Sequence, residues 1–331
     1  MKILVTGANG FVGKHLLRAL INDGLECYGT VKTNSGPDLV SDDDRELLSD
    51  PNFRRELCLP NDTAVLDLLN ELRPDAVVHL AAVTSIATAA ADPEMTWRTN
   101  VEGVRSIYRA MQKCCPEATL LHVSTGAVYG AAKDNEQPAD ETRMCQPEHS
   151  YGWSKLAAEA WLAMVEKSEQ DSIRTIIARP FNHVGPGQSD AFALSSFAQQ
   201  IAELERSESA GPMRVLTGNL DARRDFLDVR DVVSAYLELL KTPSARGVFN
   251  VCSGQTHRIG DLLESLCAQT SVEIEITRDR ARFEGRGPDS NPVTGTSERL
   301  QALTNWSPVR SLDNSLVEIL DNWRRFHSVK F

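Results

Sequence analysis

A tyrosine and a lysine stand four residues apart in "SYGWSK", at Tyr151 and Lys155. In a helix that spacing puts both side chains on one face. An ammonium held near a phenol lowers the phenol's pKa below its reference value of about 10. Tyr151 is thereby expected to give or take a proton near neutrality. A second pattern with chemistry in it opens the chain. "VTGANGFVG" spaces Gly7, Gly10 and Gly13 three apart, after an apolar run and before a helical one. Gly7 suits a tight turn, Gly10 the close approach of a pyrophosphate to the backbone, and Gly13 the packing of helix on strand. With Asn9, Phe11 and Val12 these glycines form a loop whose following helix offers N–H groups and a positive dipole end to phosphates. The expectation is a dinucleotide site.

Both patterns need a scaffold that brings residue 151 to residue 7. Short β-rich runs, "KILVTG", "LECYGTV", "RELCL", "DAVVHLAA", "ATLLHVST" and "IRTIIARP", alternate with segments of helical length and period at 11–23, 62–72, 96–115 and 151–167. That alternation specifies an α/β fold, a Rossmann-type, doubly wound parallel sheet with helices on both faces. After Pro180 the rhythm breaks into Gly/Pro-containing loops, then resumes with "DVRDVVSAYLELL" and "GVFNVCSG". The expected organisation is a dinucleotide-binding domain of residues 1–181 plus about 226–253. A smaller, discontinuous substrate lobe takes about 182–225 plus 254–331.

Composition narrows the partners. A chain of 331 residues with 41% hydrophobic content can bury a large core. Its formal net charge of −11 argues against a nucleic-acid surface. No apolar run reaches membrane-spanning length, and the opening "MKILVTGANG" has none of the features of a secretion signal, so a cytoplasmic location is expected. The seven cysteines form no C-x-x-C pair and no zinc-type Cys/His set, so no metal is expected. The second strand runs into "CYGTVKTNSG", with no carboxylate to hold a ribose 2′-hydroxyl. Lys32 could meet a 2′-phosphate instead, which favours NADP(H) and leaves NAD(H) possible.

With "TGANGFVG", "HLAA", "TN" at 99–100, "VSTGAVYG" and "YGWSK" in this order, the sequence resembles the extended short-chain dehydrogenase/reductases that modify nucleotide sugars, the NAD-dependent epimerase/dehydratase family. The resemblance covers nearly the whole chain. It implies Thr125 as the catalytic hydroxyl, with Ser124 the neighbouring candidate, Tyr151 as acid/base and Lys155 as its partner and a ligand of the nicotinamide ribose. It implies Asn100 as an organiser of the site, Leu80, Ala81, Ala82 and Pro180 as cofactor contacts, and Thr84 and Ser85 as substrate contacts. The physical logic agrees: a ketone reduced by hydride gathers negative charge on oxygen, which a hydroxyl and a proton donor stabilise.

"RPFNHVGPGQ" at 179–188, "GNLDARRDFLDVRDVV" at 218–233 and "FNVCSG" at 249–254 look most like reductases of GDP-4-keto-6-deoxy-D-mannose, which form GDP-D-rhamnose. That likeness implies Asn182 and Arg224 at the substrate diphosphate. "RGPDSNP" adds Arg286 for the diphosphate and Asp289 for a ribose. Arginine suits the role because its planar fork bonds phosphate oxygens in pairs. Two departures stand out. Where many relatives carry an Asp for the adenine amine this chain has Cys58, leaving the base to backbone or to Asp62. "TGAVYG" sets Gly126 and Ala127 where 4,6-dehydratases carry an acid. A dehydratase is therefore disfavoured, and a nucleotide-sugar 4-epimerase is the alternative to the reductase. Relatives commonly pair as homodimers through a four-helix interface, which apolar positions in 96–113 and 151–165 could serve here.

Overall fold

The computed structural model describes residues 1–32, 50, 53–131, 137–167, 173–207, 213–279 and 293–328. Seven strands form the main sheet: β1 (Lys2–Thr6), β2 (Glu26–Val31), β3 (Arg54–Glu56), β4 (Ala76–His79), β5 (Thr119–Val123), β6 (Arg174–Pro180) and β10 (Gly247–Val251). Their order is β3-β2-β1-β4-β5-β6-β10, with every pairing parallel. Strand order reverses between β1 and β4. The crevice at the carboxyl ends of these two strands is where such sheets take ligands.

Both sheet faces are covered, so the strands read as continuous apolar runs. Along β1 the pleat sends Ile3 and Val5 into one core and Leu4 into the other. The first core lies under α1 (Phe11–Asn22) and contains residues of the later helix Val229–Lys241. The second lies under α2 (Asp62–Leu72) and the helices described next. After β4 come α3 (Ile86–Ala91) and α4 (Pro93–Trp97), then α5 (Gly103–Cys114); α6 (Ser150–Glu166) follows β5.

The helix expected over 96–115 thus starts earlier, and it is not uniform. Asp92 caps it through a bond from the Met95 N–H, Pro93 takes the first position, and residues Arg98–Glu102 wind as a π-helical turn. Such turns inside longer helices often mark functional positions, and this one carries Asn100. The strand expected at "RELCL" is shifted to Arg54–Glu56, because Leu57 turns into the second core.

The second lobe holds two small sheets. β7 (Asn182–Val184), β9 (Arg223–Asp228) and β11 (Thr256–Arg258) form one, and β8 (Met213–Thr217) with β12 (Ile274–Arg278) the other. Helices α7 (Ala193–Arg206), α8 (Val229–Lys241), α9 (Ile259–Cys267), α10 (Glu298–Thr304) and α11 (Leu312–Ser328) complete the chain. Phe197, Ile201, Leu263, Leu316, Leu320 and Trp323 form the lobe's core from α7, α9 and α11. The return to the large sheet begins with α8; residues 226–228 of β9, which the expected boundary put with the large domain, pair inside the lobe. The tail also crosses back. Leu300 and Trp306 are buried with Phe249 and Tyr236 in the first core, where the Trp306 indole donates to the Ser234 hydroxyl at 2.9 Å.

Candidate active site

The glycine loop connects β1 to α1 at the reversal point. Gly7 has φ +71°, and a Cβ there would lie 2.9 Å from the Ala81 backbone. Close passage of the two loops therefore requires glycine. A Cβ on Gly13 would sit 2.5 Å from the Gly7 carbonyl and 2.7 Å from that of Ala8. Gly10 differs. Its backbone is extended and caps α1 without a side-chain bond, and a Cβ there would meet only the Gly7 oxygen at 3.2 Å. Space is kept in front of the first turn of α1, which carries no acidic side chain. This cradle fits a dinucleotide pyrophosphate. Across the crevice, Leu80 and Ala81 are tied to β1: Leu80 N–H donates to the Thr6 carbonyl at 3.2 Å and Ala81 N–H to the Thr6 hydroxyl at 3.2 Å.

Two strands away, β5 ends in Val123, Ser124 and Thr125, and the structure separates the two hydroxyls. Ser124 donates to the buried Glu159 carboxylate. Thr125 is close enough to the Tyr151 hydroxyl to lower the phenol's pKa, and its own oxygen accepts the Ala127 N–H at 3.2 Å. Thr125 is thus the hydroxyl that shares a site with Tyr151. Tyr151 lies in the first turn of α6, whose N-terminus is capped by the ring of His149: its Nδ1 accepts the Gly152 N–H at 3.1 Å. The His149 and Tyr151 rings stack, with centroids 6.0 Å apart.

Lys155 corrects the expectation about the phenol. Its ammonium donates to the Val123 carbonyl at 2.7 Å. The one-turn spacing does put Tyr151 and Lys155 on one face, but the long side chain reaches across to β5. Burial pushes the Tyr151 phenol up to about 12, against a downward pull from Thr125. Burial also pushes Lys155 down to about 8, with Glu159 opposing it. The phenol is a proton donor that stays protonated at neutral pH, not an acid tuned to neutrality by the lysine.

Asn100 is buried and spends its carboxamide on position. Its oxygen accepts the Val83 N–H at 2.8 Å, and its nitrogen donates to the Val83 carbonyl at 3.0 Å and the Ser154 hydroxyl at 2.9 Å. Ser154 in turn donates to the Tyr151 carbonyl at 2.7 Å. The π-helical turn thereby ties the loop after β4 to α6.

Of the remaining candidates, Pro180 lies at the same edge of the sheet. Val123 of β5 pairs with Ala178 of β6, so Pro180 follows beside Thr125. Asn182 begins β7 opposite Phe226 of β9, two residues from Arg224, and its amide donates to the Asp225 carbonyl at 3.2 Å. Arg224 donates to the Arg223 carbonyl at 2.7 Å. Lys32 is exposed just past β2, and Thr84 is exposed past β4. The Ser85 hydroxyl accepts the Thr88 N–H as the cap of α3. Asp62 accepts a bond from the Ser106 hydroxyl in the first turn of α2. Arg286 and Asp289 lie outside the described residues.

Sequence reasoning passed over a buried polar network behind this site. Arg179 on β6 forks onto Glu159 at 3.1 and 3.2 Å and donates to the Tyr129 hydroxyl at 2.9 Å. Tyr129 donates to Asn250 of β10 at 2.7 Å. The signal for Glu159 was available: a carboxylate one turn beyond Lys155, inside the apolar run "LAAEAW". Beneath Lys155, His79 and His122 pair across β4 and β5 with ring centroids 5.8 Å apart. Burial holds both well below the usual histidine range, His79 at about 3.

Known proteins resemble this chain in sequence and fold. The NAD dependent epimerase/dehydratase family matches residues 3–252. GDP-6-deoxy-D-mannose reductase of Pseudomonas aeruginosa is 38% identical over 322 residues, covering 97% of each chain. The structure of RMD from Pseudomonas aeruginosa complexed with NADPH superposes with a TM-score of 0.79 at 35% identity, covering 98% of this chain and 97% of that one. UDP-glucose 4-epimerase of Thermus thermophilus, complexed with NAD, gives a TM-score of 0.80 at 25% identity, covering 98% and 99%.

Proposed function

The chain belongs to the NAD dependent epimerase/dehydratase family, and from that membership we propose that it is an NAD(P)H-dependent reductase of a nucleotide-linked 4-keto-6-deoxy sugar, converting GDP-4-keto-6-deoxy-D-mannose to GDP-D-rhamnose. The observation that carries this reading is the likeness, along 97% of both chains, to a GDP-6-deoxy-D-mannose reductase, whose named sugar is the same compound as rhamnose of the D series. The Thr125–Tyr151 hydroxyl pair supports it. NADP(H) is the favoured cofactor, on the NADPH held by one structural relative and on Lys32 standing where no carboxylate follows β2.

The glycine cradle and the Leu80–Ala82 segment would hold the cofactor, with Lys155 on its ribose. When bound, the nicotinamide supplies the hydride. Tyr151 delivers its proton to the carbonyl oxygen, and the Thr125 hydroxyl bonds the same oxygen as charge gathers there. Asn182 and Arg224, neighbours on β7 and β9, hold the diphosphate. Glycine and alanine at 126 and 127 leave no acid beside Thr125 to expel water from the sugar, in line with reduction rather than dehydration.

A homodimer through α5 and α6 is part of the proposal, supported by exposed Trp153 and Met164 on α6 and Trp97 at the end of α4. So is a cytoplasmic location: all seven cysteines are free. Among the described residues no helix is long and apolar enough to cross a membrane. The test is stoichiometry. Incubation with GDP-4-keto-6-deoxy-D-mannose should consume one NADPH per GDP-D-rhamnose formed. Interconversion of 4-epimers with no added cofactor would overturn the reductase in favour of an epimerase.

A further inference from the structure

Glu159 has no part in the chemistry described above, yet it is a nearly fully buried carboxylate one turn past Lys155 on the same face of α6. Its oxygens take the Ser124 hydroxyl and the Arg179 fork. Ser124 immediately precedes Thr125, and its N–H donates to the Ala178 carbonyl at 2.7 Å. One carboxylate therefore joins the helix that carries Tyr151 and Lys155 to the ends of the strands that carry Thr125 and Pro180. We propose that Glu159, fixed by Arg179 and Ser124, is a positioning residue for the reduction: it is the buried anion that keeps Lys155 a cation and locks the Thr125 strand end against the catalytic helix. The proposal rests on the reductase reading for its kinetic consequence, not for its electrostatic one.

The groups that face Lys155 come from three elements. His79 on β4 and His122 on β5 are both affected by its charge, and burial keeps both neutral. On α6 itself stand Tyr151, protonated at neutral pH, and Glu159, which favours the charged ammonium. Around a cation that burial already disfavours, Glu159 is the counter-charge among the described residues. Arg179, which pairs with Glu159 from β6, is itself a cation and offsets part of that attraction. Arg179 is the ion-pair partner that holds the Glu159 carboxylate in place.

The test is Glu159→Gln, which keeps the shape and one acceptor oxygen and removes the charge. Lys155 is followed by NMR of protein labelled with ¹³C at lysine Cε, its resonance assigned by its loss in Lys155→Met. The expected result is a Lys155 titration midpoint lower by roughly one to two pH units, the scale of a close opposite charge. The alkaline limb of kcat should move down with it, while kcat at pH 6.5 stays within a few-fold and KM is unchanged. A folded Glu159→Gln with both midpoint and limb where the wild type has them overturns the proposal. If Glu159→Gln does not fold, Glu159→Asp withdraws the same charge by one methylene. It should shift the midpoint by less in the same direction, and an unmoved midpoint there is equally fatal. Failure to reduce any nucleotide-linked 4-keto sugar would refute the function instead, since the NMR midpoint needs no substrate.

Discussion

Gly10→Ala should leave the fold intact and strongly weaken cofactor binding, whereas Gly13→Ala should damage the fold itself. At Gly10, φ −71° and ψ 167° are ordinary for any residue, and the new methyl would touch the Gly7 oxygen alone, at 3.2 Å. The cost is that of an alanine at a helix N-cap, about 0.5–1 kcal/mol beyond glycine. For a chain of this size that is about 1 °C in Tm. At Gly13 the methyl would lie at 2.5 and 2.7 Å from two backbone oxygens, which cannot swing aside as a side chain does. Such overpacking costs about 1–3 kcal/mol, or roughly 1–5 °C. The open space before Gly10 has the opposite significance. If pyrophosphate occupies it, a methyl there should weaken NADPH by about 100-fold, or about 2.7 kcal/mol. Thermal unfolding and quenching of NADPH fluorescence separate the two effects. Wild-type NADPH affinity in a folded Gly10→Ala protein would refute the assignment of this turn as the cradle.

Tyr151→Phe removes one hydroxyl and leaves the ring against His149. Single-turnover oxidation of NADPH by the keto sugar should slow by about 100-fold or more with cofactor affinity retained, and an unchanged rate would end the catalytic assignment. Lys32→Ala should raise the Kd of NADPH by about 10-fold and leave NADH unaffected; equal changes for both cofactors would remove Lys32 from the argument. His79 contributes to acid stability, as does the neighbouring His122. The His79 pKa falls from 6.5 to about 3 on folding, so its neutral form stabilises the fold fully above pH 6.5, and that contribution is lost as pH falls toward 3. Two pH units below 6.5 the loss is about 2–3 kcal/mol. Urea titrations at pH 4.5 and 7 should show it, and His79→Gln should reduce the difference.

What the sequence made legible was whatever is local. Periods of two and of about three and a half residues placed β1, β4, β5, β6, α1, α2 and α6 to within about three residues at each end, and the glycine spacing marked the turn that Gly7 takes with φ +71°. The π-helical turn escaped because its pattern, "RTNVE", is compatible with an ordinary helix. Its winding answers to the bonds Asn100 makes with Val83 and Ser154, up to 54 positions away. Membership of Leu300 and Trp306 in the first core was hidden for a like reason: a short apolar helix does not announce which of two cores it will join.

The lysine shows most clearly where local reasoning stops. Spacing fixed the face of α6 on which Lys155 lies, and nothing in "YGWSK" says that a carbonyl 32 residues earlier takes its ammonium. Once that bond is made, the acidity of the phenol is set by burial and by Thr125 rather than by the neighbouring cation. The charge on the lysine then depends on a carboxylate held by an arginine from another strand. A motif can therefore identify which groups react while their protonation states belong to the fold around them. Two chains that share Tyr-x-x-x-Lys should differ in pH dependence wherever their second layer of buried charges differs.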